Sequence, residues 1–203
     1  MNHVLEMGGL CDAIAFTGHK SLLGPQGIGG FIISDELASK VEPLIEGGTG
    51  SLSDEEIQPE YMPDKFEPGT LNIPGIYGLN ASLKYVLKEK VSTIREKELY
   101  LVEHFLEGLL NMPGIHIVGK KDLSHRTAVV SIDVPGKDNA DVSYELSSGF
   151  GIMTRCGLHC APSAHKTLGT FPRGTVRFSF SHFNTIAEVK YTIDAIHKVL
   201  KDI

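Results

Sequence analysis

Two short apolar runs near the start of the sequence, residues 12–16 and 31–33, flank a glycine-rich stretch at residues 24–30. Apolar runs of this length that are bounded by glycine are typical of strands buried on both faces. Such strands need helices over both faces of the sheet and neighbouring strands at both edges. Before the next periodic region the sequence adds one helical stretch, residues 35–45, and a long polar segment, residues 47–70. We therefore expect this part to be a portion of a larger α/β domain that begins upstream.

The rest of the sequence predicts a complete domain. A helix is predicted from Pro74, another over residues 91–109, then strands at residues 115–118, 128–134, 152–155 and 175–182 and helices at residues 139–148 and 185–201. The last helix opens with Thr185 and Glu188, whose spacing is that of a capping box. The predicted organisation is thus a partial large α/β domain in residues 1–85 and a small α+β domain in residues 86–203.

The composition excludes several classes of protein. The chain has 203 residues, 41% of them hydrophobic, and Lys+Arg 19 against Asp+Glu 25 give a net charge of -6. This apolar share predicts a folded chain, and the acidic balance argues against nucleic-acid binding, which needs a basic face. No apolar run reaches the roughly 18 residues of a membrane span, and residues 1–9 lack the pattern of a secretory signal. Three cysteines make no disulfide framework, so we expect a reducing, cytoplasmic location. The acidic charge and the short apolar runs predict that neither nucleic acid nor a membrane is a partner.

The motif TGHKS at residues 17–21 puts Lys20 directly after the first predicted strand. It is not a Walker A phosphate loop, because His19 separates Gly18 from Lys20 and Ala13 stands where that loop needs its first glycine. A lysine beside glycines at a strand end can serve as a phosphate cation or as an amine that forms a Schiff base. A surface lysine in a turn is the alternative that the spacing leaves open.

An irregular segment after the third of the four later strands presents Cys160, with His159 beside it. The thiolate is the reactive form of cysteine and a neighbouring imidazole favours it, so Cys160 is a candidate nucleophile. A zinc site of Cys156, His159, Cys160 and His165 is the rival interpretation. It is crowded, because structural zinc usually takes its ligands in two separate pairs. We expect Cys11 and Cys156 to be small buried hydrophobic residues.

The last predicted strand alternates between apolar and polar residues. Val176, Phe178 and Phe180 are expected to face the core, which turns Arg177 to the opposite face beside serine hydroxyls. An arginine fixed on a strand suits bidentate binding of a carboxylate. A solvent-exposed arginine is equally consistent with the spacing.

These segments occur in an order that resembles one family. TGHK at residues 17–20 followed by GPQGIGG at residues 24–30 resembles the cofactor-lysine segment of class V aminotransferase-fold enzymes. These are fold-type I proteins that depend on pyridoxal 5'-phosphate. GGTG at residues 47–50 and FEPGTLN at residues 66–72 resemble the family's dimer-interface segment. The pattern RxGxHCA at residues 155–161 resembles the catalytic cysteine loop of its cysteine desulfurase and selenocysteine lyase branch. The resemblance covers essentially the whole chain and implies the C-terminal part of the large α/β domain followed by the small domain.

The resemblance also implies a cofactor site without a metal. Lys20 would hold pyridoxal phosphate covalently, Thr17 and His19 would contact its phosphate, and Thr70 would reach the phosphate in the neighbouring subunit of a homodimer. The family's glycine-rich phosphate loop, its stacking ring and the aspartate that pairs with the pyridine nitrogen all lie upstream of the lysine strand. Nothing upstream of Lys20 matches them. That aspartate keeps the ring protonated as an electron sink, so we expect this chain alone to bind the cofactor weakly or not at all.

The implied substrate is a small amino acid, cysteine or selenocysteine, with Arg177 and Arg155 holding its carboxylate. Cys160 would attack the sulfur and carry it as a persulfide to a sulfur-acceptor protein, leaving alanine. Another class V activity, such as transamination, and a non-catalytic dimerisation module are the alternatives. Cys160 favours desulfuration, because transamination needs no thiol, whereas the unmatched upstream half favours the non-catalytic alternative for this chain.

Overall fold

A computed structural model describes residues 11–52 and 54–202. The backbone divides into two compact units, which we call the first unit (residues 1–91) and the second unit (residues 92–203). None of the helices in the described ranges combines the length and the apolar character that crossing a bilayer requires. The predicted boundary between residues 85 and 86 and the domain roles given to each side remain predictions.

The first unit contains a two-stranded antiparallel sheet of β1, Ala13–Thr17, and β2, Gly29–Ile33. Both strands form where the apolar runs predict them, but the sheet is open rather than buried. Phe31 and Ile32 keep 46% and 54% of their surface exposed. Two strands cannot cover their own faces, so apolar side chains remain on the surface of this unit.

Helix α1, Asp35–Ala38, is much shorter than the predicted helix over residues 35–45. Ser34 caps its start by accepting the Leu37 amide. The prediction was wrong because Pro43 disfavours helical backbone at the residue before it. The polar segment that follows is irregular apart from a short 3-10 helix, Asp64–Phe66.

Helix α2, Ile73–Glu89, begins next to Pro74 as predicted and is capped by Asn72, which accepts the Gly75 amide. Lys90 has a φ of 67° and a ψ of 128°, and this non-helical residue separates α2 from α3, Val91–Leu110. The two helical patterns in the sequence are therefore distinct helices.

The second unit carries a four-stranded antiparallel sheet in the order β3-β4-β6-β5. Its elements after α3 are β3 His116–Val118, β4 Val129–Asp133, α4 Asn139–Phe150, β5 Arg155–Gly157, α5 Pro162–Thr167, β6 Thr175–Ser179 and α6 Ile186–Asp202. The strand predicted at residues 152–155 thus lies further along, at β5. Helix α5 was not predicted, although a proline at a first helical position is a start signal.

One face of this sheet forms the core of the second unit. Val130, Ile132, Val176 and Phe178 are each at most 4% exposed, and the Phe178 ring lies 5.0 Å from that of Phe105 on α3. Burying each such side chain contributes about 1.5–3 kcal/mol. The opposite face of β6 carries polar residues, among them Arg177.

The predicted capping box forms before α6, with reciprocal hydrogen bonds between Thr185 and Glu188.

Candidate active site

The segment after β1 wraps tightly around a buried glycine. The Gly18 amide donates to the Ile28 carbonyl at 2.9 Å, and the Gly24 amide donates to the Gly18 carbonyl at 2.8 Å. A Cβ atom at Gly18 would lie 2.9 Å from the Ile28 carbonyl oxygen, so only glycine fits there. This tight backbone leaves the side chains of His19 and Lys20 exposed.

Two cavities open along this segment, and Thr17 lines both. One, of about 370 Å³, is lined by Lys20 and by mostly apolar side chains such as Phe16. The other, of about 420 Å³, is lined by His19 and by Gly27 and its neighbours. This donor set fits pyridoxal phosphate, because it offers an amine for the aldehyde, an apolar wall for the ring, and a hydroxyl and an imidazole for the phosphate.

Thr70 is exposed and lines neither of these cavities. It follows Gly69, whose amide donates to the Gly48 carbonyl at 2.9 Å. A Cβ atom at Gly48 would lie 2.9 Å from the Gly69 Cα atom, so the two backbones touch. The structure therefore brings the GGTG and FEPGTLN segments together, which their separation in the sequence does not indicate.

Cys160 occupies a strained turn at the end of β5. The Ala161 amide donates to the Leu158 carbonyl at 2.8 Å, and the two central residues, His159 and Cys160, have φ of 51° and 61°. This is the pattern of a type I′ turn, which favours glycine and asparagine at both central positions. Cysteine in this backbone region costs about 1 kcal/mol or more. Cys160 is exposed, as predicted, whereas Cys11 and Cys156 are only partly buried.

Arg155 and Arg177 lie directly opposite each other on β5 and β6. Paired residues of antiparallel strands carry their side chains on the same face, with Cβ atoms about 5 Å apart. Within the described residues neither arginine forms an ion pair, and the buried Nε atom of Arg177 has no hydrogen-bond partner. Like charges facing each other destabilise a sheet, so an anion on this face would relieve the repulsion.

His159 lies beside these arginines. Its Nε2 atom lies 3.2 Å from the Thr175 hydroxyl, while its buried Nδ1 atom has no partner among the described residues. Burial lowers the pKa of His159 below its ordinary value, and the nearby charges of Arg177, His165 and Arg155 lower it further. The ring is therefore neutral near pH 7.

The predicted site residues fall into two groups. Lys20, Thr17, His19 and Thr70 belong to the first unit, whereas Arg155, Cys160 and Arg177 belong to the second, on β5, β6 and the turn between β5 and α5.

Thr170 and Thr175 were missed by sequence reasoning, and His165 was considered only as a zinc ligand. Thr175 is 1% exposed, and no periodicity in the sequence marks it as a partner of His159. In the described part of the chain no group of three or more His, Cys, Asp or Glu residues could hold a metal ion. The described residues therefore offer no set of ligands that would support the zinc interpretation.

Comparisons with known proteins give one consistent result. Residues 5–192 match the family described as Aminotransferase class-V. A probable cysteine desulfurase of Pyrococcus abyssi is 36% identical over 197 residues, which cover 95% of this chain and 47% of that protein. The apo structure of a cysteine desulfurase from Thermococcus onnurineus matches with a TM-score of 0.85 and 35% identity, over 95% of this chain and 48% of its own.

The Escherichia coli cysteine desulfurase CsdA, in an S-sulfonic acid form, matches with a TM-score of 0.86 and 28% identity, over 98% of this chain and 48% of its own. These likenesses confirm the predicted fold class, the fold-type I architecture. The chain spans about half the length of the curated relatives that it matches. The family depends on pyridoxal phosphate in general. With a family match over most of its length, this chain belongs to the class V aminotransferase family.

Proposed function

We propose that this chain carries the cofactor lysine and the sulfur-accepting cysteine of a pyridoxal-phosphate-dependent cysteine desulfurase. The observation that supports this most directly is the exposed thiol of Cys160, held in a strained turn next to His159. The His159 ring faces Arg155 and Arg177, and neither arginine has an ion-pair partner among the described residues. Backbone strain of this kind is concentrated at functional sites. A transaminase has no use for such a thiol.

In the first unit, the amine of Lys20 would hold the cofactor. Thr17 would bind the phosphate through its hydroxyl and His19 through its imidazole, from the cavities that these residues line. Bound pyridoxal phosphate supplies an electron sink for bonds at the α-carbon of an amino acid. The apolar wall beside Lys20 would pack against one side of the ring. Thr70, exposed and away from these cavities, would serve the phosphate of a neighbouring subunit.

In the second unit, Arg177 would bind the carboxylate of cysteine or selenocysteine, with Arg155 beside it on the same face. A guanidinium grips a carboxylate with two parallel hydrogen bonds and so orients the substrate. The Sγ atom of Cys160 would then attack the substrate sulfur. One S–S bond forms, the C–S bond breaks, and the carbon regains a proton, so that a thiol and cysteine give a persulfide and alanine without an external oxidant.

The proposal also assigns partners. A sulfur-acceptor protein would take the persulfide sulfur from Cys160, whose exposure allows direct attack by an acceptor thiol. A second copy of the chain would associate through the first unit, where Leu44, Ile57 and Tyr77 are 98%, 75% and 72% exposed. Exposed apolar side chains in such number are typical of interaction surfaces.

The test is covalent trapping of the cofactor followed by peptide mass mapping. The chain is incubated with pyridoxal phosphate and reduced with borohydride, and we expect the adduct on Lys20. Lys40→Arg is the matched control, because Lys40 is also exposed in the first unit but pairs with Glu36. Lys20→Arg should remove the adduct, and Lys40→Arg should leave it in place. An adduct spread over many lysines, or unchanged in Lys20→Arg, contradicts the assignment of Lys20.

The cysteine step is tested on the same cofactor-loaded sample. Addition of cysteine should raise the mass of the Cys160 peptide by one sulfur atom and release alanine, and Cys160→Ser should abolish both. Cofactor capture on Lys20 with transamination products and no sulfur on Cys160 would instead support a class V aminotransferase of other specificity. Neither capture nor sulfur transfer would support a non-catalytic dimerisation module.

A further inference from the structure

The Cys160 turn lies within a longer loop, residues 157–175, whose two ends meet. Gly157 and Thr175 are paired across β5 and β6. A Cβ atom at Gly174 would lie 2.4 Å from the Gly157 carbonyl carbon, so these two backbones touch and no side chain fits between them. The base of the loop is therefore closed by direct backbone contact, and we call this segment the cysteine loop.

Two histidines of the cysteine loop lie next to each other and contact threonines of the same loop. His159 reaches the Thr175 hydroxyl with Nε2 at 3.2 Å, and His165 reaches the Thr170 hydroxyl with Nδ1 at 2.7 Å. The centroids of the two rings lie 5.7 Å apart at an interplanar angle of 49°. His165, Thr170 and Thr175 are 7%, 6% and 1% exposed, so these polar groups form a small buried cluster.

Backbone hydrogen bonds connect the turn to the same cluster. The His165 amide donates to the Ala161 carbonyl at 3.2 Å, and the Thr170 amide donates to the His165 carbonyl at 2.9 Å. The Gly174 amide then donates to the Thr170 carbonyl at 2.7 Å. These bonds run from the turn through α5 to the start of β6.

The Cys160 turn needs these surrounding hydrogen bonds for an energetic reason. Two consecutive non-glycine residues in the left-handed region persist only where the surrounding structure fixes them. The Ala161 to Leu158 hydrogen bond alone cannot do this, since one such bond contributes about 1 kcal/mol net. We propose that His159 and His165, braced by Thr175 and Thr170, are positioning residues that hold the turn and so fix where the Cys160 thiol is presented. The functional meaning rests on the proposed desulfurase reaction, whereas the positioning itself does not.

Charge makes the bracing depend on a neutral His159. The groups that face its ring are Arg155 on β5, Arg177 on β6 and His165 on α5, all cationic or able to become so. A protonated His159 would face two fixed positive charges, and this repulsion opposes the hydrogen bond to Thr175, which by itself favours the protonated ring. Acid should therefore loosen the turn before the rest of the second unit unfolds.

The test measures amide hydrogen exchange at Ala161, whose N–H closes the turn, by NMR on the full chain without substrate or cofactor. Thr175→Val removes the hydroxyl that His159 contacts, and we expect exchange at Ala161 to accelerate about fivefold, the effect of one lost hydrogen bond. Thr175→Ser keeps the hydroxyl and should restore slow exchange. Thr192→Val is the matched control, because Thr192 is buried in α6, away from the cysteine loop, and its hydroxyl donates to the Glu188 carbonyl.

His159→Asn provides a second variant, because asparagine tolerates the left-handed backbone but is too short to replace the imidazole. It should accelerate Ala161 exchange as Thr175→Val does. The proposal is wrong if both variants leave that exchange within twofold of the parent chain. It is also wrong if Thr192→Val accelerates it equally, because the turn would then open only with the whole unit. Neither outcome bears on desulfuration, which is judged separately from sulfur transfer to Cys160.

Discussion

Apolar side chains on strands are buried in the second unit and exposed in the first unit. In the second unit, Val176 and Phe178 on β6 are 0% and 4% exposed, whereas in the first unit Phe31 and Ile32 on β2 are 46% and 54% exposed. All four of these side chains are apolar. The difference is a second layer: helices cover the β6 face that carries Val176 and Phe178, whereas Phe31 and Ile32, which lie on opposite faces of β2, remain exposed. Whether an apolar strand residue is buried thus depends on whether helices of the described chain pack over it.

The same difference separates the two groups of candidate residues. The proposed cofactor residues lie on the open first unit, where Thr17, His19 and Lys20 are all exposed. The proposed sulfur and carboxylate residues lie on a sheet that has its own core. The Cys160 turn is therefore positioned within the second unit alone, whereas the Lys20 segment of the first unit is open to water.

The largest expected effect is in hydrogen exchange between the two units. We expect amides of β1 and β2 to exchange at least about a hundredfold faster than those of β4 and β6 at low protein concentration. A two-stranded sheet is at best marginally stable, whereas core amides exchange through opening of a domain worth several kcal/mol. The measurement is residue-resolved exchange followed by NMR or mass spectrometry.

Raising the protein concentration is the control for association. If copies of the chain cover the open face of the first unit, exchange in β1 and β2 should slow with concentration, while exchange in β4 and β6 should not change. Equal protection of both sheets at every concentration would contradict the comparison between the units.

Sequence patterns predicted those features that depend on local periodicity. The alternation of β6 placed Val176 on the core side and Arg177 on the opposite side, and the structure agrees. The Thr185 capping box is another local signal that the structure confirms. The irregular segment around Cys160, with His159 and Gly157, and the desulfurase hypothesis also predicted an exposed cysteine, which the structure confirms.

The features that sequence reasoning missed depend on contacts between distant residues. The Thr175 hydroxyl reaches His159 only because β5 and β6 pair, and a pairing register cannot be read from either strand alone. The type I′ turn at Cys160 was hidden because neither central residue is a glycine, the usual signal for that turn. The end of α1 could have been predicted from Pro43.

A smaller expected effect concerns backbone strain at Cys160 in the second unit, measured as a difference in stability. Cys160→Gly and Cys160→Ala both remove the thiol, but only glycine adopts a φ of 61° without steric cost. We expect Cys160→Gly to be more stable than Cys160→Ala by about 1 kcal/mol, as measured by denaturant unfolding. The matched control is Cys156→Gly against Cys156→Ala on β5, where glycine should be the less stable of the two. Equal stability of the two Cys160 variants would show that the turn holds no strain.

The smallest expected effect is a pH dependence that comes from His159. Its folded-state pKa is lowered, by burial first and then by Arg177 and the other nearby positive groups. On acidification the unfolded chain therefore takes up the proton first, and stability falls as the pH drops through the ordinary histidine range. The loss is complete once the pH is below the folded-state pKa. His159→Asn should flatten the unfolding midpoint over this range.

Glu188 is a second titrating group against which the His159 effect can be compared. The pKa of Glu188 is lowered by its capping-box hydrogen bonds to Thr185, so its contribution to stability is lost as the pH falls from the ordinary range of glutamate through the lower folded-state pKa. Glu188→Gln should therefore change the acid limb of the profile without changing the histidine limb. Because the His159 ring is only partly buried, its limb should be shallow, and its removal by His159→Asn is the deciding observation. A histidine limb that survives in His159→Asn would assign the proton to another histidine and leave the Cys160 turn insensitive to pH.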